Sequence, residues 1–283
     1  MRVSVALAFV LIISACTDDG TTPPSTVATT TTLPTPTSTL PPVVECPGEG
    51  EFEEGSGIAD IEATGSDSSI VGQISWETSD RCETFHFDFE TSEGAPATTV
   101  PNVTVDHLNS FQVVRVGIDV DASVITDQLV ETEFVDRLYV VRSLEGGIFV
   151  DLHLSEPAAV RATTESSPAR LSIDLRPGFV PFEGESSIDD QVVLVAPTDE
   201  SDVESTAELA GYSRTPDGSV LVVVTQSPTT VTETDATTAE NEETWGEFRL
   251  ELSLPVGEVS VFLGQRSTDD GSLDGISVDL TVR

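Results

Sequence analysis

The sequence contains no lysine, since all 12 of its basic residues are arginine. Schiff-base catalysis and the phosphate-binding P-loop both need the lysine ammonium, so both kinds of chemistry are excluded. Fifty acidic residues bring the formal net charge to −38. Nucleic acids and anionic membrane surfaces are bound through clusters of basic side chains, so neither is expected to attract this chain by charge.

Histidine and cysteine are also scarce, with three of each in 283 residues. Three histidines leave little material for a metal or acid–base site, and we expect no cofactor and no metal ion. Hydrophobic residues make up 38% of the chain, which is enough for packed cores. The length favours two domains.

The N-terminus has the pattern of an export signal. Arg2 precedes an apolar run over residues 3–13, followed by Ser14, Ala15 and Cys16. A charged start, a short apolar run and small residues at a cleavage site are typical of a secretory signal peptide. The run is shorter than the roughly 20 residues that span a bilayer.

The residues around Cys16 sharpen this prediction. Residues 13–16, Ile-Ser-Ala-Cys, resemble the bacterial lipobox, which implies removal of residues 1–15 and a lipid anchor on Cys16. The alternative is an ordinary secretory signal in which Cys16 has no role. The lipobox resemblance implies a protein anchored to the cell membrane on its extracytoplasmic face.

A tether follows over residues 16–44. Of the 22 residues from 21 to 42, 10 are threonine and 6 are proline. Such a segment buries too little apolar surface to offset its ordering entropy, so we predict a disordered, extended spacer. Threonine-proline repeats are also compatible with a glycosylated stalk.

Beyond the tether the dominant pattern is an alternation of apolar and polar residues, which predicts β-strands with one buried face. It covers residues 85–90, 114–120, 150–155, 171–176, 248–254 and 276–282. Continuous apolar runs at 192–195 and 220–224 predict more fully buried strands. A turn is expected at Gly146-Gly147, a weak helix at 125–138, and a long loop at 229–244.

Proline and glycine interrupt the pattern between residues 177 and 187. We therefore predict an all-β chain of two β-sandwich domains, residues 45–178 and 188–283. Cys46 and Cys82 both fall in the first domain of an exported chain, so a disulfide between them is expected. Two free thiols are the alternative.

The first domain resembles an AMIN-like domain of actinobacterial-type lipoproteins. The resemblance lies in residues 140–154 (VVRSLEGGIFVDLHL) and 169–177 (ARLSIDLRP), with an opening strand at 80–89 (DRCETFHFDF). AMIN-type domains are β-sandwiches that place envelope proteins, often by binding peptidoglycan. The resemblance therefore implies targeting or binding.

The last 93 residues resemble the immunoglobulin-like domain associated with bacterial spore germination. The matching segments are 195–197 (VAP), 209–211 (LAG), 245–248 (WGEF), 254–258 (LPVGE) and 269–273 (DDGSL). The chain departs from the family after Gly211, where Tyr212-Ser213-Arg214 replaces the usual Phe-Glu. No role in sporulation is carried over.

Two groups of polar residues on predicted strands contain the side chains of a catalytic site. Asp151, His153 and Ser155 lie on one face of a predicted strand, about 6.5–7 Å apart in succession, whereas a working triad needs contacts near 3 Å. We therefore interpret them as a solvated strand face, as we do His86 with Asp88 and Glu90. His107 is predicted in a loop. A zinc amidase would need a further catalytic domain, which is absent from the pattern.

The acidic segments 119–121 and 269–274 are the best calcium candidates, but neither matches a twelve-residue calcium loop. Turn formation explains the second segment adequately. Trp76 and Trp245 are predicted as core anchors rather than platforms for sugar stacking.

These features favour a non-catalytic envelope lipoprotein that binds peptidoglycan or another envelope protein. The alternative is a cell-wall hydrolase or an accessory subunit of one; a two-lobed solute-binding protein is disfavoured because no βαβ pattern occurs. The carboxylates are dispersed over strand faces and loops, which suits an acidic, soluble surface. Wall polymers are often anionic, so their recognition would depend on hydrogen bonds, shape or bridging cations.

Overall fold

The computed structural model describes residues 46–79, 81–108, 111–239 and 244–283. The signal peptide, Cys16 and the threonine-proline tether, which were predicted for residues 1–44, lie outside these residues. All the described residues belong to one compact unit. Within these ranges the chain forms twenty strands, and the prediction of an all-β protein is confirmed. None of the described segments is a helix that could cross a membrane.

Eleven strands form what we call the first sandwich: β1 Ala59–Ile61, β2 Ile70–Ser79, β3 Cys82–Glu90, β4 Val103–His107, β5 Val113–Ile118, β6 Ala122–Ser123, β7 Asp127–Leu129, β8 Val135–Arg142, β9 Ile148–Leu154, β10 Ala158–Glu165 and β11 Arg170–Pro177. Nine form the second sandwich: β12 Ser187–Ile188, β13 Val192–Ala196, β14 Asp202–Val203, β15 Thr206–Ser213, β16 Ser219–Gln226, β17 Thr229–Thr237, β18 Trp245–Ser253, β19 Gly257–Arg266 and β20 Leu273–Val282.

One ten-stranded sheet runs through both sandwiches, in the order β1-β4-β5-β9-β8-β18-β15-β13-β12, with β7 beside β8. In the first sandwich it packs against a sheet of order β10-β11-β3-β2-β6, and in the second against β14-β20-β19-β16-β17. The sandwiches are joined where β8 and β18 pair in parallel, Val141 with Trp245 and Arg142 with Gly246.

Alternate residues of each strand fill the two cores. Phe85, Phe87 and Phe89 of β3 are buried in the first core, and Val259, Val261 and Leu263 of β19 are buried in the second. Both predicted continuous runs are strands: Val192 to Val195 of β13 are all buried, and residues 220–224 of β16 are buried except Leu221, which is half-buried. The turn at Gly146-Gly147 is confirmed as well, because both glycines have positive φ and connect β8 to β9.

A third apolar cluster lies between the sandwiches. The ten-stranded sheet has one half in each sandwich, and the outer faces of the two halves pack against each other. We call this cluster the contact zone. It consists of Val113, Tyr139, Val141, Phe149, Val193, Val195, Tyr212 and Trp245. All seven residues of β9 are buried, because the first core covers one face of the strand and the contact zone covers the other.

The described N-terminal segment is attached to the first sandwich. A disulfide joins Cys46 to Cys82, with their Cα atoms 5.7 Å apart. Glu53 forms two backbone hydrogen bonds of 2.8 Å with Val160 of β10. The guanidinium groups of Arg161 and Arg176 lie over the Phe52 ring, 4.5 and 4.3 Å from its centroid.

Two predicted elements were wrong. The weak helix at 125–138 is β7, a turn and the start of β8, and Glu131 in the turn has a φ of 52°. A β-bulge between Val135 and Arg137 breaks the alternation there, which explains why the sequence pattern was misleading. The predicted loop at 229–244 begins as the nine-residue strand β17.

Candidate functional site

The candidate site is the rim of the contact zone, where polar side chains of both sandwiches meet. Arg115 of β5 and Asp151 of β9 come from the first sandwich, while Glu247 and Arg249 of β18 come from the second. All four stand on outward-facing positions of the ten-stranded sheet, opposite in direction to the core residues next to them. We call these four residues the charge network.

The charge network alternates in sign across the junction. Arg115 donates from Nε and Nη2 to the two carboxylate oxygens of Asp151, at 2.8 and 2.7 Å. Arg115 Nη1 lies 3.7 Å from Glu247 Oε1, which also accepts from Arg249 Nε at 2.9 Å. The second Glu247 oxygen accepts from Ser143 Oγ at 3.0 Å and from the Leu144 amide at 3.1 Å. The network therefore ties the two sandwiches together.

Burial sets the electrostatics of the network. Asp151 has no exposed surface and Glu247 is 2% exposed. Burial raises the pKa of Asp151, and the Arg115 guanidinium opposes that shift. Burial alone would lower the pKa of Arg115, but the charge and hydrogen bonds of Asp151, together with Tyr212 and the charge of Glu247, outweigh burial and raise it. Each buried charge has a partner of opposite sign, as a stable buried ion pair requires.

The aromatic part of the contact zone adjoins this network. Tyr139 lies 5.0 Å, centroid to centroid, from both Tyr212 and Trp245, and the rings are inclined to one another. His153 Nε2 and the Tyr212 hydroxyl are hydrogen-bonded. Arg214 lies over the Trp245 ring at 4.9 Å. These inclined rings bury a large area and give the junction a defined geometry.

His153 is neutral in this environment. Burial lowers the pKa of His153 to about 3, and the charges of Arg137 and Arg115 act in the same direction. Burial raises the pKa of the Tyr212 hydroxyl well above its ordinary value. Within the described chain, His153 Nδ1 and Trp245 Nε1 are buried without a hydrogen-bond partner. His153 and Tyr212 thus form a hydrogen bond between two neutral groups inside the contact zone.

A groove opens beside the charge network. It has a volume of about 870 Å3 and is lined by both sandwiches, with His107 and Arg115 on one side and Val195, Pro197 and Ala210 on the other. A neighbouring concavity of about 420 Å3 shares Arg115, Glu247 and Arg249 with it. The charge network thus lies between two adjoining concave surfaces that could accommodate a ligand.

The interpretation of Asp151 and His153 as a solvated strand face was wrong. Asp151 is 0% and His153 2% exposed, because the second sandwich covers the face that the alternation leaves polar. Only Ser155 is exposed, and its hydroxyl donates to the Glu133 carbonyl at 3.0 Å. The three residues do not form a triad, because Asp151 is hydrogen-bonded to Arg115 and His153 is hydrogen-bonded to Tyr212.

The other two histidines have structural partners. His86 is half-buried, with Nδ1 2.9 Å from Ser172 Oγ. His107 was predicted in a loop but ends strand β4, where it is 6% exposed and accepts from the Gly55 amide through Nδ1 at 3.2 Å. Burial lowers the pKa of His107. His86 is thus hydrogen-bonded to a serine hydroxyl, and His107 to a backbone amide.

The acidic candidates lie on the surface. Asp119, Asp121 and residues 269–274 are exposed, and the Asp270 carboxylate accepts from the Ser272 amide and hydroxyl at 3.0 and 2.7 Å, as its turn requires. In the portion of the chain that the structure describes, no three His, Cys, Asp or Glu side chains are gathered as a metal site.

The two tryptophans lie in different places. Trp76 is half-buried and stacks on Phe85 of the first core, 6.0 Å between centroids. Trp245 is 2% exposed, but it anchors the contact zone rather than the second core.

Sequence reasoning missed Arg115, Tyr139 and Glu247. One signal was present: the segment 212–214, where the chain departs from the family it resembles, supplies Tyr212 and Arg214 to the contact zone.

Comparison with known proteins identifies one region. Neither the curated proteins nor the solved structures include a match to this chain. The region that matches a protein-family model lies inside the second sandwich and covers β13 to the turn before β20. Residues 191–272 match the family model of the immunoglobulin-like domain of bacterial spore germination.

Proposed function

We propose that this protein is a non-catalytic lipoprotein of the cell envelope, held at the membrane by a lipid on Cys16 and by a tether over residues 16–44. The first sandwich is an AMIN-like domain, and the second is the immunoglobulin-like domain. Together they bind another component of the envelope, either peptidoglycan or a protein. The family match at residues 191–272 is the observation that carries the proposal.

The chemistry at the junction supports binding rather than turnover. The carboxylate and imidazole that could act in catalysis are engaged by Arg115 and Tyr212, and the imidazole is neutral with a pKa of about 3. A general base works best with a pKa near the operating pH. These groups instead hold the two sandwiches in one arrangement beside the groove.

The groove supports recognition by shape and hydrogen bonding. Both of its arginines are already paired, Arg115 with Asp151 and Arg249 with Glu247, so it offers no free cation to an anionic wall polymer. The polar residues Thr198 and Thr206 line the same groove. A ligand with hydroxyl or amide groups would meet donors and acceptors there.

Membrane attachment is tested by substitution of Cys16. Cells expressing the Cys16→Ser variant should release the protein from the membrane fraction, whereas a Cys46→Ser variant should remain attached. The substitution at Cys46 is the matched control because it removes a cysteine without changing the lipobox. Retention of Cys16→Ser in the membrane fraction would contradict the lipid anchor.

Wall binding is tested by co-sedimentation of the purified protein with peptidoglycan sacculi at moderate salt. Ala210→Phe fills the groove and should reduce the sedimented fraction at least several-fold, whereas Ser277→Phe, on the exposed face of β20, should leave it unchanged. If the wild type does not sediment, binding to peptidoglycan is refuted, and an envelope protein is the partner to test next. Release of soluble fragments from the sacculi would support the hydrolase alternative instead.

A further inference from the structure

Sheet edges are normally protected, because their unpaired N–H and C=O groups can pair with another chain. Among the described strands, most sheet edges here are very short: β1 has three residues, and β6, β12 and β14 have two each. The eight-residue edge strand β10 is covered by the N-terminal segment, through the paired backbones of Glu53 and Val160. These end strands themselves offer little backbone with which a further strand could pair.

Strand β17 is different. It spans nine residues, forms the end of its sheet and pairs only with β16 in the described structure. Residues 229–231, 233, 235 and 237 are exposed, and Val231 is 48% exposed. No proline lies within the strand, and its threonines and valine favour extended backbone. On its outer edge every second residue directs its N–H and C=O away from β16.

The surface beside this edge is acidic. Thr232, Thr234 and Ala236 alternate with Val231, Glu233 and Asp235, and Ala236 is buried in the core. The outward carboxylates adjoin a concavity of about 690 Å3 that is also lined by Asp217, Asp274 and Arg266. Arg266 is 3.1 Å from Glu233, so four carboxylates and one guanidinium line this concavity.

We propose that β17 captures an extended, basic segment of another protein as an added strand. The backbone edge would supply the hydrogen bonds of strand addition, and alternate lysine or arginine side chains would meet Glu233 and Asp235 at the same spacing of about 6.5–7 Å. A second copy of this chain is a poor occupant, because its own net charge of −38 would place like carboxylates opposite each other.

The proposal rests on the envelope-binding function proposed above and adds that the protein partner is basic and extended. It can be tested without peptidoglycan or any other envelope component. The probe is a fluorescent ten-residue peptide of alternating threonine and lysine, titrated into the purified protein and followed by anisotropy. A peptide of five threonines followed by five lysines has the same charge and composition. We expect it to bind at least tenfold more weakly, because it cannot match the alternation.

Two further measurements separate strand addition from simple charge attraction. N-methylation of the lysine amides or of the threonine amides removes the donors of one peptide edge, so one of the two methylated peptides should lose at least tenfold in affinity. Bound peptide should also slow amide hydrogen exchange within residues 229–237. Equal binding of the alternating, block and both methylated peptides would overturn the proposal, as would the absence of binding at millimolar peptide.

The acidic surface is tested on the protein. Glu233→Gln combined with Asp235→Asn should weaken the alternating peptide at least fivefold. Glu251→Gln combined with Glu258→Gln is the matched control, since it removes two exposed strand carboxylates of the same sandwich away from β17. An equal effect of the two pairs would show attraction by net charge alone and would contradict recognition at the edge. Sacculus binding is unaffected by either result, so the two proposals fail separately.

Discussion

Asp151 is a fully buried carboxylate whose two oxygens are both bonded by Arg115. Removing one partner of a buried ion pair leaves an uncompensated charge, which typically costs about 3–5 kcal/mol. Asp151→Ala should therefore lower the free energy of unfolding at pH 7 by about 3 kcal/mol, the lower end of that range, because Glu247 lies 3.7 Å from the remaining guanidinium. Urea unfolding measures this loss.

The matched control is Asp88→Ala, which breaks the ion pair between Asp88 and Arg170. Those side chains are 31% and 35% exposed, so their interaction is screened by water and should contribute less than about 1 kcal/mol. Equal losses for the two variants would mean that the Asp151 pair is not buried as the structure shows.

His153 should make stability depend on pH. Its pKa is about 3 in the folded chain against an ordinary 6.5, so below pH 6.5 the unfolded chain binds a proton that the folded chain does not. The contribution of His153 is fully present above pH 6.5 and is lost as the pH falls toward 3, at roughly 1 kcal/mol per pH unit. His153→Gln should flatten this slope in urea unfolding measured between pH 6.5 and 4.

The comparison of variants isolates His153 from the carboxylates, which titrate over part of the same range. The raised pKa of Asp151 acts in the opposite direction, because its folded carboxyl takes up a proton before the unfolded one. Tyr212→Phe removes the hydrogen-bond partner of His153 but keeps the imidazole. It should retain the wild-type slope, and a slope unchanged in His153→Gln would refute the assignment.

At the level of strands, Gly211 sets how closely β13 and β15 can approach. A Cβ built at this position would lie 2.1 Å from the Val193 carbonyl oxygen and 2.9 Å from the Phe248 ring. A backbone oxygen cannot move without breaking the ladder, so Gly211→Ala should destabilise the protein by about 1–3 kcal/mol, as overpacking does. Thermal unfolding followed by circular dichroism is the measurement.

Gly117→Ala is the control for this prediction. Its Cβ would meet only the Thr104 hydroxyl at 2.5 Å, and that side chain can rotate away. The melting temperature of Gly117→Ala should therefore change little. A larger drop for Gly117→Ala than for Gly211→Ala would contradict the close approach of β13 and β15.

The N-terminal segment protects an edge, and the Cys46–Cys82 disulfide holds it there. A cross-link that closes a loop of this length, with a sequence separation of 36, stabilises a fold by about 4 kcal/mol in the chain-entropy model. Replacing both cysteines by serine should lower the free energy of unfolding by that amount and speed amide exchange in β10. Unchanged stability after replacement would show that the cross-link does not form in solution.

Most strands could be predicted from the sequence because their alternation is regular. Residues 85–90 of β3 and 150–154 of β9 follow this pattern. The prediction failed where a local feature broke the period, as at the bulge beside Val135, or where the inward residues are small, as in β17 with Thr232, Thr234 and Ala236. Those inward residues cover the edge of a core, so they carry little apolar signal.

The candidate site was less predictable for a different reason. Alternation shows that Asp151 and His153 share a face, but it does not show whether water or a second sandwich covers that face. The answer depends on residues about 60 to 100 positions later. Tyr212 bonds His153, and Glu247 lies beside Arg115, only after both sandwiches have formed. One chain provides no local pattern for such a contact.

For the molecule as a whole, the contact zone should make the two sandwiches unfold together. Separating them would expose the aromatic cluster of Tyr139, Tyr212 and Trp245 and would break the charge network between Arg115 and Glu247. Both costs must be met before either sandwich can unfold alone. We therefore expect one cooperative transition for the described body, whichever part of it is observed.

The two tryptophans make this testable, since Trp76 reports on the first core and Trp245 on the contact zone. In Trp76→Phe and Trp245→Phe, the remaining fluorescence and the far-ultraviolet circular dichroism should each give one urea midpoint within the same variant. Adding Tyr212→Ala to either variant should give the fluorescence and the circular dichroism different urea midpoints, because it removes the central ring of the contact zone. If fluorescence of Trp245 changes first in the Trp76→Phe protein, the sandwiches are independent, and the groove between them is not a fixed surface.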